Sequence, residues 1–240
     1  ALDAATTTTQ LPGAGQVVAG AASGGTITAG AQTITFTGNT VINWGVASGA
    51  TINATTQPGG FNIGSGASLG FTDSASAGSG VLNVDVSGNP SQILGAMTMN
   101  AGGGNLYVAN SNGIIVGATA TISGPVKVGL IANNLGTVAF DGTNSATSME
   151  YAGGGGNVTV LKGATIGGTN VIVSGGGVVN VDLSAFTSGN ARLYAGVKNS
   201  NSTLVNDNPG AVLTTTGDMG AATLAGFQSA GDASTSGTLT

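Results

Sequence analysis

Nine carboxylates are the only side chains here able to act as a conventional catalytic acid or base: Asp3, Asp73, Asp85, Asp141, Glu150, Asp182, Asp207, Asp218 and Asp232. Histidine and cysteine are absent, which removes imidazole bases, thiolate nucleophiles and the usual nitrogen and sulfur ligands of transition metals. Paired carboxylates can cleave glycosidic bonds without either residue, and Asp85 with Asp182 is the pair that could share one groove if the chain coils on itself. The remaining acids stand among glycines, asparagines and serines, where an isolated Asp serves as a turn residue. The sequence therefore predicts no catalytic residue, no metal site and no cofactor. Calcium is excluded by pattern: the glycines from 153 to 156 lead into Asn157-Val158, and the Gly-Gly-x-Gly-x-Asp repeat of calcium-binding β-rolls never recurs.

Binding without catalysis needs platforms, and for a surface glycan these are aromatic rings. Trp44, Tyr107, Tyr151 and Tyr194 are the candidates. Trp44 follows an alternating Val-Ile-Asn stretch and is expected under a cap rather than on display. Asn53, Asn157 and Asn201 begin Asn-x-Thr sequons, which match the eukaryotic glycosylation pattern.

The elements that must position these residues follow from composition. Of 240 residues, 40% are hydrophobic but only 4% aromatic, and 45 are glycine. Such a core consists of small and branched side chains in thin layers, which suits strands better than helices. With 5% charged residues and a net charge of −5, the chain has no basic patch, so nucleic acid is not a partner. A surface of Thr, Ser, Asn and backbone also offers little like-charge repulsion against self-association.

Short apolar alternations separated by Gly, Asn, Asp and Ser read as strands throughout. Examples are Thr33-Ile34-Thr35-Phe36, Val81-Leu82-Asn83-Val84, Asn105-Leu106-Tyr107-Val108, Thr137-Val138-Ala139-Phe140 and Asn170-Val171-Ile172-Val173. The best helical candidate is Pro90-Ser91-Gln92-Ile93-Leu94. Glycine-led strand starts recur at Gly30-Ala31-Gln32-Thr33-Ile34, Gly49-Ala50-Thr51-Ile52, Gly66-Ala67-Ser68-Leu69, Gly117-Ala118-Thr119-Ala120-Thr121-Ile122 and Gly163-Ala164-Thr165-Ile166. Recurring corner phrases of this kind are the mark of rungs stacked in a solenoid. The expected fold is all-β, a parallel β-helix with a capping N-terminal segment. A β-sandwich is the structural rival. Residues 1–20 are expected to form a cap or exchanged segment, residues 21–213 the β-helix, and residues 214–240 a Gly/Ala/Ser/Thr-rich strand or tail. Coils of roughly 20 to 25 residues predict about ten rungs and a rod on the order of 45 Å long.

Five phrases in order, Gly15-Gln16-Val17-Val18-Ala19-Gly20, Val41-Ile42-Asn43-Trp44, Phe61-Asn62-Ile63-Gly64, Asn89-Pro90-Ser91-Gln92-Ile93-Leu94-Gly95 and Asn110-Ser111-Asn112-Gly113-Ile114-Ile115-Val116-Gly117, resemble the secretion domain of filamentous-haemagglutinin-type proteins. That resemblance implies a right-handed parallel β-helix, export by two-partner secretion through an outer-membrane transporter, and an extracellular or cell-surface destination. It marks Asn43, Trp44, Phe61, Asn62, Asn89, Pro90, Gln92, Leu94, Asn110, Asn112 and Gly113 as motif residues with a structural role. Two departures stand out: Ser111 replaces the family's Pro, and residues 45–58 lengthen the segment after Trp44.

Three functions follow as expectations. The first is a non-catalytic subunit of an extracellular fibre or biofilm matrix, joined head to tail to copies of itself through open solenoid ends, because only about 120 residues follow Gly117. The alternative is a secretion domain of an exported adhesin, recognised by an outer-membrane transporter. The lesser alternative is a carbohydrate-binding β-helix.

Overall fold

A computed structural model describes residues 6–54, 59–140, 148–200 and 203–231. The chain is a parallel β-helix of three faces. The first face stacks residues 31–36 of β2 (Ala31–Trp44), β3 (Ser68–Asp73), β6 (Ala96–Met99), β9 (Thr121–Ser123) and β13 (Thr165–Gly167). The second stacks residues 40–44 of β2, then β4 (Val81–Asp85), β7 (Leu106–Ala109), β10 (Lys127–Ala139), β14 (Asn170–Gly175), β16 (Asn190–Ala195) and β20 (Thr223–Ser229). The third stacks β5 (Ser91–Ile93), β8 (Ile114–Val116), β12 (Val158–Val160), β15 (Val179–Asp182) and β19 (Leu213–Thr216), with a single bridge from Ile63 to Ile93 ahead of them. Parallel crossovers are right-handed almost without exception, the sense that the resemblance implies. Among the described residues the only helical element is a 3-10 turn, Leu183–Ala185. Pro90-Ser91-Gln92-Ile93-Leu94, the best helical candidate, contains β5 instead.

Register explains the residue types. On the second face Ile42, Asn83, Val108, Leu130, Val173, Leu193 and Phe227 align from rung to rung, so each inward position forms a ladder of similar volume. On the first face Ser68, Ala96, Thr121 and Thr165 align on the outside, with Leu69, Met97, Ile122 and Ile166 beside them on the inside. The glycine-led phrases at Gly66, Gly117 and Gly163 therefore do mark turns of one stack, with β6 in the turn between the first two. The phrase at Gly49 does not: Ile52 pairs antiparallel with Gly15, in the loop that follows the first rung.

The rod is shorter than expected. Seven strands stack on the second face, and six steps of about 4.8 Å give a length of roughly 29 Å. The missing rungs went into excursions. β10 continues past the second face and pairs antiparallel with β11 (Ser148–Gly155), and β17 (Val197–Ser200) pairs antiparallel with β18 (Thr203–Asn206). Thr137-Val138-Ala139-Phe140, read from the sequence as part of a rung, belongs to the first of these. It contributes to a second apolar cluster outside the helix, where Val41, Leu82, Tyr107, Ala109 and Ile131 pack with Phe140 and Tyr151.

The N-terminal end is closed all round. Residues 7–13 run along residues 60–66, with Gly66 N–H to Thr8 O at 2.8 Å, Gly64 N–H to Gln10 O at 2.8 Å and Gly13 N–H to Gly60 O at 3.0 Å. β1 (Gly15–Gly24) then pairs antiparallel with β2, from Gly15 opposite Trp44 to Gly24 opposite Ile34. One continuous segment thus covers all three faces of the first coil. Leu11, Ile42, Trp44 and Phe61 beneath it are fully buried.

Candidate functional site: the asparagine corner

Ten of the eleven motif residues converge on the first three coils between the second and third faces or on the short third face itself. Asn43 is the exception, standing half-buried on the outer side of β2 between Gln16 and Val84. At the centre of the corner is Asp85, directly below Trp44 in register. Its carboxylate accepts hydrogen bonds from Phe61 N–H at 2.7 Å, the Ser91 hydroxyl at 2.7 Å and Ser87 N–H at 3.0 Å. Asn110 Nδ2 on the next coil donates to Ser91 Oγ at 2.9 Å and to Asn89 O at 2.8 Å, while its Oδ1 accepts from Asn112 N–H at 2.8 Å. Backbone turns that would be unsatisfied inside the bend are thereby paired across coils.

The neighbouring residues repeat the device. Asn62 Oδ1 accepts from Gln92 N–H at 2.8 Å, and Gln92 O accepts from Ile63 N–H at 2.8 Å. Pro90 lies beside Gly113, whose φ of 122° lies in the left-handed half of backbone space that only glycine adopts freely. Leu94 closes against Gly117, where an added Cβ would sit 2.6 Å from Leu94 Cδ2. Ser111 and Asn112 are exposed at the bend. They line a shallow groove of about 400 Å³ with Val86, Gly88, Asn134 and Leu135.

Trp44 is wholly inside. Its Nε1–H donates to Asn83 Oδ1 at 2.9 Å, its ring meets Phe61 edge-on at 5.8 Å, and Gly15 of β1 lies so close that an added Cβ would be 2.8 Å from the indole. Asn83 stands in a ladder otherwise made of Ile, Val, Leu and Phe, and its Nδ2 donates to Tyr107 O at 3.1 Å. A buried amide bonded on both sides fits only one register, so the pair pins the first two coils to one another.

The remaining chemistry is dispersed. Asp85 and Asp182 do not form a pair: Asp85 ends β4 on the second face, whereas Asp182 ends β15 on the third and accepts from Ser184 N–H at 3.1 Å, the Ser184 hydroxyl and Thr216 Oγ1 at 3.1 Å. The Ser184 hydroxyl, above all, holds the Asp182 carboxyl below the usual range. Asp73 is engaged with the N–H groups of Ala75, Ala77 and Ser79 at 3.0–3.1 Å. Asp3, Asp141, Asp232 and Asn201 lie outside the described residues. Among the described residues no three acidic side chains gather as a metal site would.

Of the aromatic candidates, Tyr107 is buried beneath Gly129, where an added Cβ would come within 2.3 Å of its ring, and meets Phe140 edge-on at 6.0 Å. Tyr151 is also buried, which pushes its phenol well above the ordinary value, and Tyr194 is half-buried with its phenol raised by the same cause. Sequence reasoning missed Asn83 and Ser91 and named Asp85 only as a possible partner of Asp182. Apolar alternation of Leu82 with Val84 directs Asn83 and Asp85 outward, whereas the structure buries both.

No protein-family model matches the chain, and no curated protein matches it. Among solved structures it is similar to the secretion domain of HMW1 from Haemophilus influenzae, at 18% identity and a TM-score of 0.43. The match covers 76% of this chain and 62% of that one, so the chain spans less than two thirds of the neighbour's length.

Proposed function

We propose that this chain is the secretion domain of an exported, non-catalytic β-helical protein, bound by an outer-membrane transporter during export. The observation that carries the proposal is the closed N-terminal end. The phrases that resemble secretion domains lie in the cap and the first three coils, where their side chains hold that end shut. A domain that must leave one membrane before the rest of its chain has a use for an end whose apolar layer is covered by its own segment, residues 7–13 and β1. The groove beside Ser111 and Asn112 is the exposed part of the same corner.

The fibre reading needs open edges at both ends of the rod, because a head-to-tail contact joins two different surfaces. At one end residues 7–13 and β1 already cover the apolar layer that a head-to-tail neighbour would have to bury, which favours the secretion reading. Burial of Trp44, Tyr107 and Tyr151 likewise leaves a glycan without its best platforms.

The test is co-expression with the partner transporter from the same cell. The 240-residue chain should reach the medium only when that transporter is present, and the purified chain should retain the transporter's periplasmic portion in a pull-down. Export that is indifferent to the transporter, together with no retention, would overturn the proposal.

A further inference from the structure

Of the four basic residues, Lys198 pairs with Asp207 and Lys162 stands near Asp182. Lys127 and Arg192 make no ion pair among the described residues, yet the register brings them together. Lys127, Asn170 and Asn190 align on successive coils of the second face, and Arg192 Nη1 donates to Asn170 Oδ1 at 3.2 Å. Val128, Val171, Ala191 and Leu193, the neighbours of these residues along their strands, are fully buried, so all four polar side chains face outward. Two unpaired cations thus flank one amide within two coil steps, about 10 Å.

Asn190 also lines a groove of about 650 Å³ at the bend between the first and second faces. Thr121, Thr165 and Thr187 line it on three successive coils, so the groove runs along the rod. Thr165 Oγ1 donates to Thr121 Oγ1 at 3.2 Å, Thr169 Oγ1 to Pro125 O at 3.1 Å and Thr187 Oγ1 to Ile166 O at 3.3 Å. A hydroxyl has one proton and two lone pairs, so these three threonines turn only acceptors to the groove. None of the described residues that line it is acidic.

The geometry points to a binding site for a carboxylated glycan, a short uronic-acid chain lying along this groove with a carboxylate between Lys127 and Arg192. The chemistry is complementary. Sugar hydroxyls supply the donors that the threonines lack, and the carboxylate takes the N–H groups that the two cations have to spare. Tyr194, the aromatic candidate that is only half-buried, follows Arg192 on the same side of β16, and Gly226 beside them carries no side chain to cover either. Charge and hydroxyls carry the recognition, so the buried rings of Trp44, Tyr107 and Tyr151 are not needed. The groove crosses coils instead of ending in one, which suits a chain over a single sugar. It lies in the later coils, away from the cap and the asparagine corner, and the inference does not rest on the secretion reading.

Trigalacturonic acid is the probe. Titrated calorimetrically into the 240-residue chain at low ionic strength, it should bind, and the affinity should fall as salt is added, because exposed charges supply part of it. Its methyl ester keeps the ring hydroxyls and loses the charge; it should bind about tenfold more weakly or worse. Lys127→Gln and Arg192→Gln should each weaken binding of the acid about tenfold, and Thr165→Tyr, which fills the groove, should abolish it. Lys198→Gln, on the excursion strand β17, should leave it unchanged. Amide chemical-shift changes in the native chain should centre on Thr165, Thr187 and Asn190, and this map decides if a variant fails to fold. Four results would overturn the inference: no binding of the acid, equal binding of acid and ester, shift changes that centre elsewhere, or an effect of Lys198→Gln as large as that of Arg192→Gln.

Discussion

The first and last coils are built from the same kinds of residue, yet among the described residues only the first is covered on both sides. Below the cap, Trp44, Phe61, Ile42 and Leu11 are excluded from water, and every buried polar group at the asparagine corner has a partner in the next coil. In the last coil Leu224 and Phe227 continue the same ladders, as neighbours of Ala191 and Leu193, but keep part of their surface in solvent. Pairing rungs buries apolar area at about 25 cal/mol per Å², and that contribution is complete only where both sides of a layer are covered. Stability in a solenoid is close to a sum of nearest-neighbour terms. The capped end is therefore expected to be the last part to open and the free end the first to fray.

Substitutions at the two ends test this difference. Trp44→Ala should have the largest effect, lowering unfolding free energy by about 3–5 kcal/mol in urea titrations, since it empties the layer beneath β1 and leaves Asn83 Oδ1 without its donor. Asp85→Ala comes next, at about 3 kcal/mol, because two buried donors and the half-buried Ser87 N–H lose one acceptor at once. Its signature is local: hydrogen exchange should quicken first at Phe61 and Ser87, whose N–H groups it accepts. If either variant loses under about 1 kcal/mol, the corner is not what holds the capped end together.

Phe227→Ala carries the comparison to the other end. A half-covered ring contributes less than a buried one, so a loss of about 1–2 kcal/mol is expected. Exchange should rise in β20 and β16 while β1 and β2 stay protected. Equal losses for Phe227→Ala and Trp44→Ala in the monomer would erase the distinction between the ends.

The fold was legible because a solenoid repeats its reasons. Thr121-Ile122 and Thr165-Ile166 announce equivalent positions by chemistry alone, and the register places them side by side. Their separation of 44 residues, more than twice the 20 between the register partners Asn170 and Asn190 (190 − 170), was the available sign of an excursion between them. It was hard to use, because Val138 and Phe140 alternate as a rung does while packing outside the helix. Loop excursions keep the period of strands without keeping their axis. The corner was half legible: the asparagine and glycine phrases mark the bends, but Asp85 and Asn83 act through partners 24 residues away, a distance that no local pattern encodes. The Asp85 and Asp182 pairing failed for the same reason, since matching chemistry in two coils does not put two residues on one face.

The smallest predicted effect concerns the excursions, which tie the later coils together. Lys198 Nζ meets Asp207 Oδ1 at 2.9 Å, and Gly154 N–H of β11 donates to Asp207 Oδ2 at 2.9 Å, so one carboxylate links β11 to the segment after β18. The lysine first, then the amide, hold the Asp207 carboxyl below its ordinary value. A depressed carboxylate stabilises the folded state fully above its unfolded pKa of about 3.9 and loses that contribution as pH falls through the lower folded value. The lysine side chain is 45% exposed and the carboxylate 20%, so solvent screens the pair and limits its worth to less than about 1 kcal/mol. Lowering the pH from 5 to below 4 should therefore lower the protection factor of Gly154, its exchange rate relative to the unstructured amide at the same pH, in the native chain. Asp207→Asn should show the lower protection factor already at pH 5 and little further change on acidification, while amides of β1 keep theirs in both. A loss of protection in β1 over the same pH interval would mean that the capped end, too, depends on a surface charge, and the contrast between the ends would have to rest on packing alone.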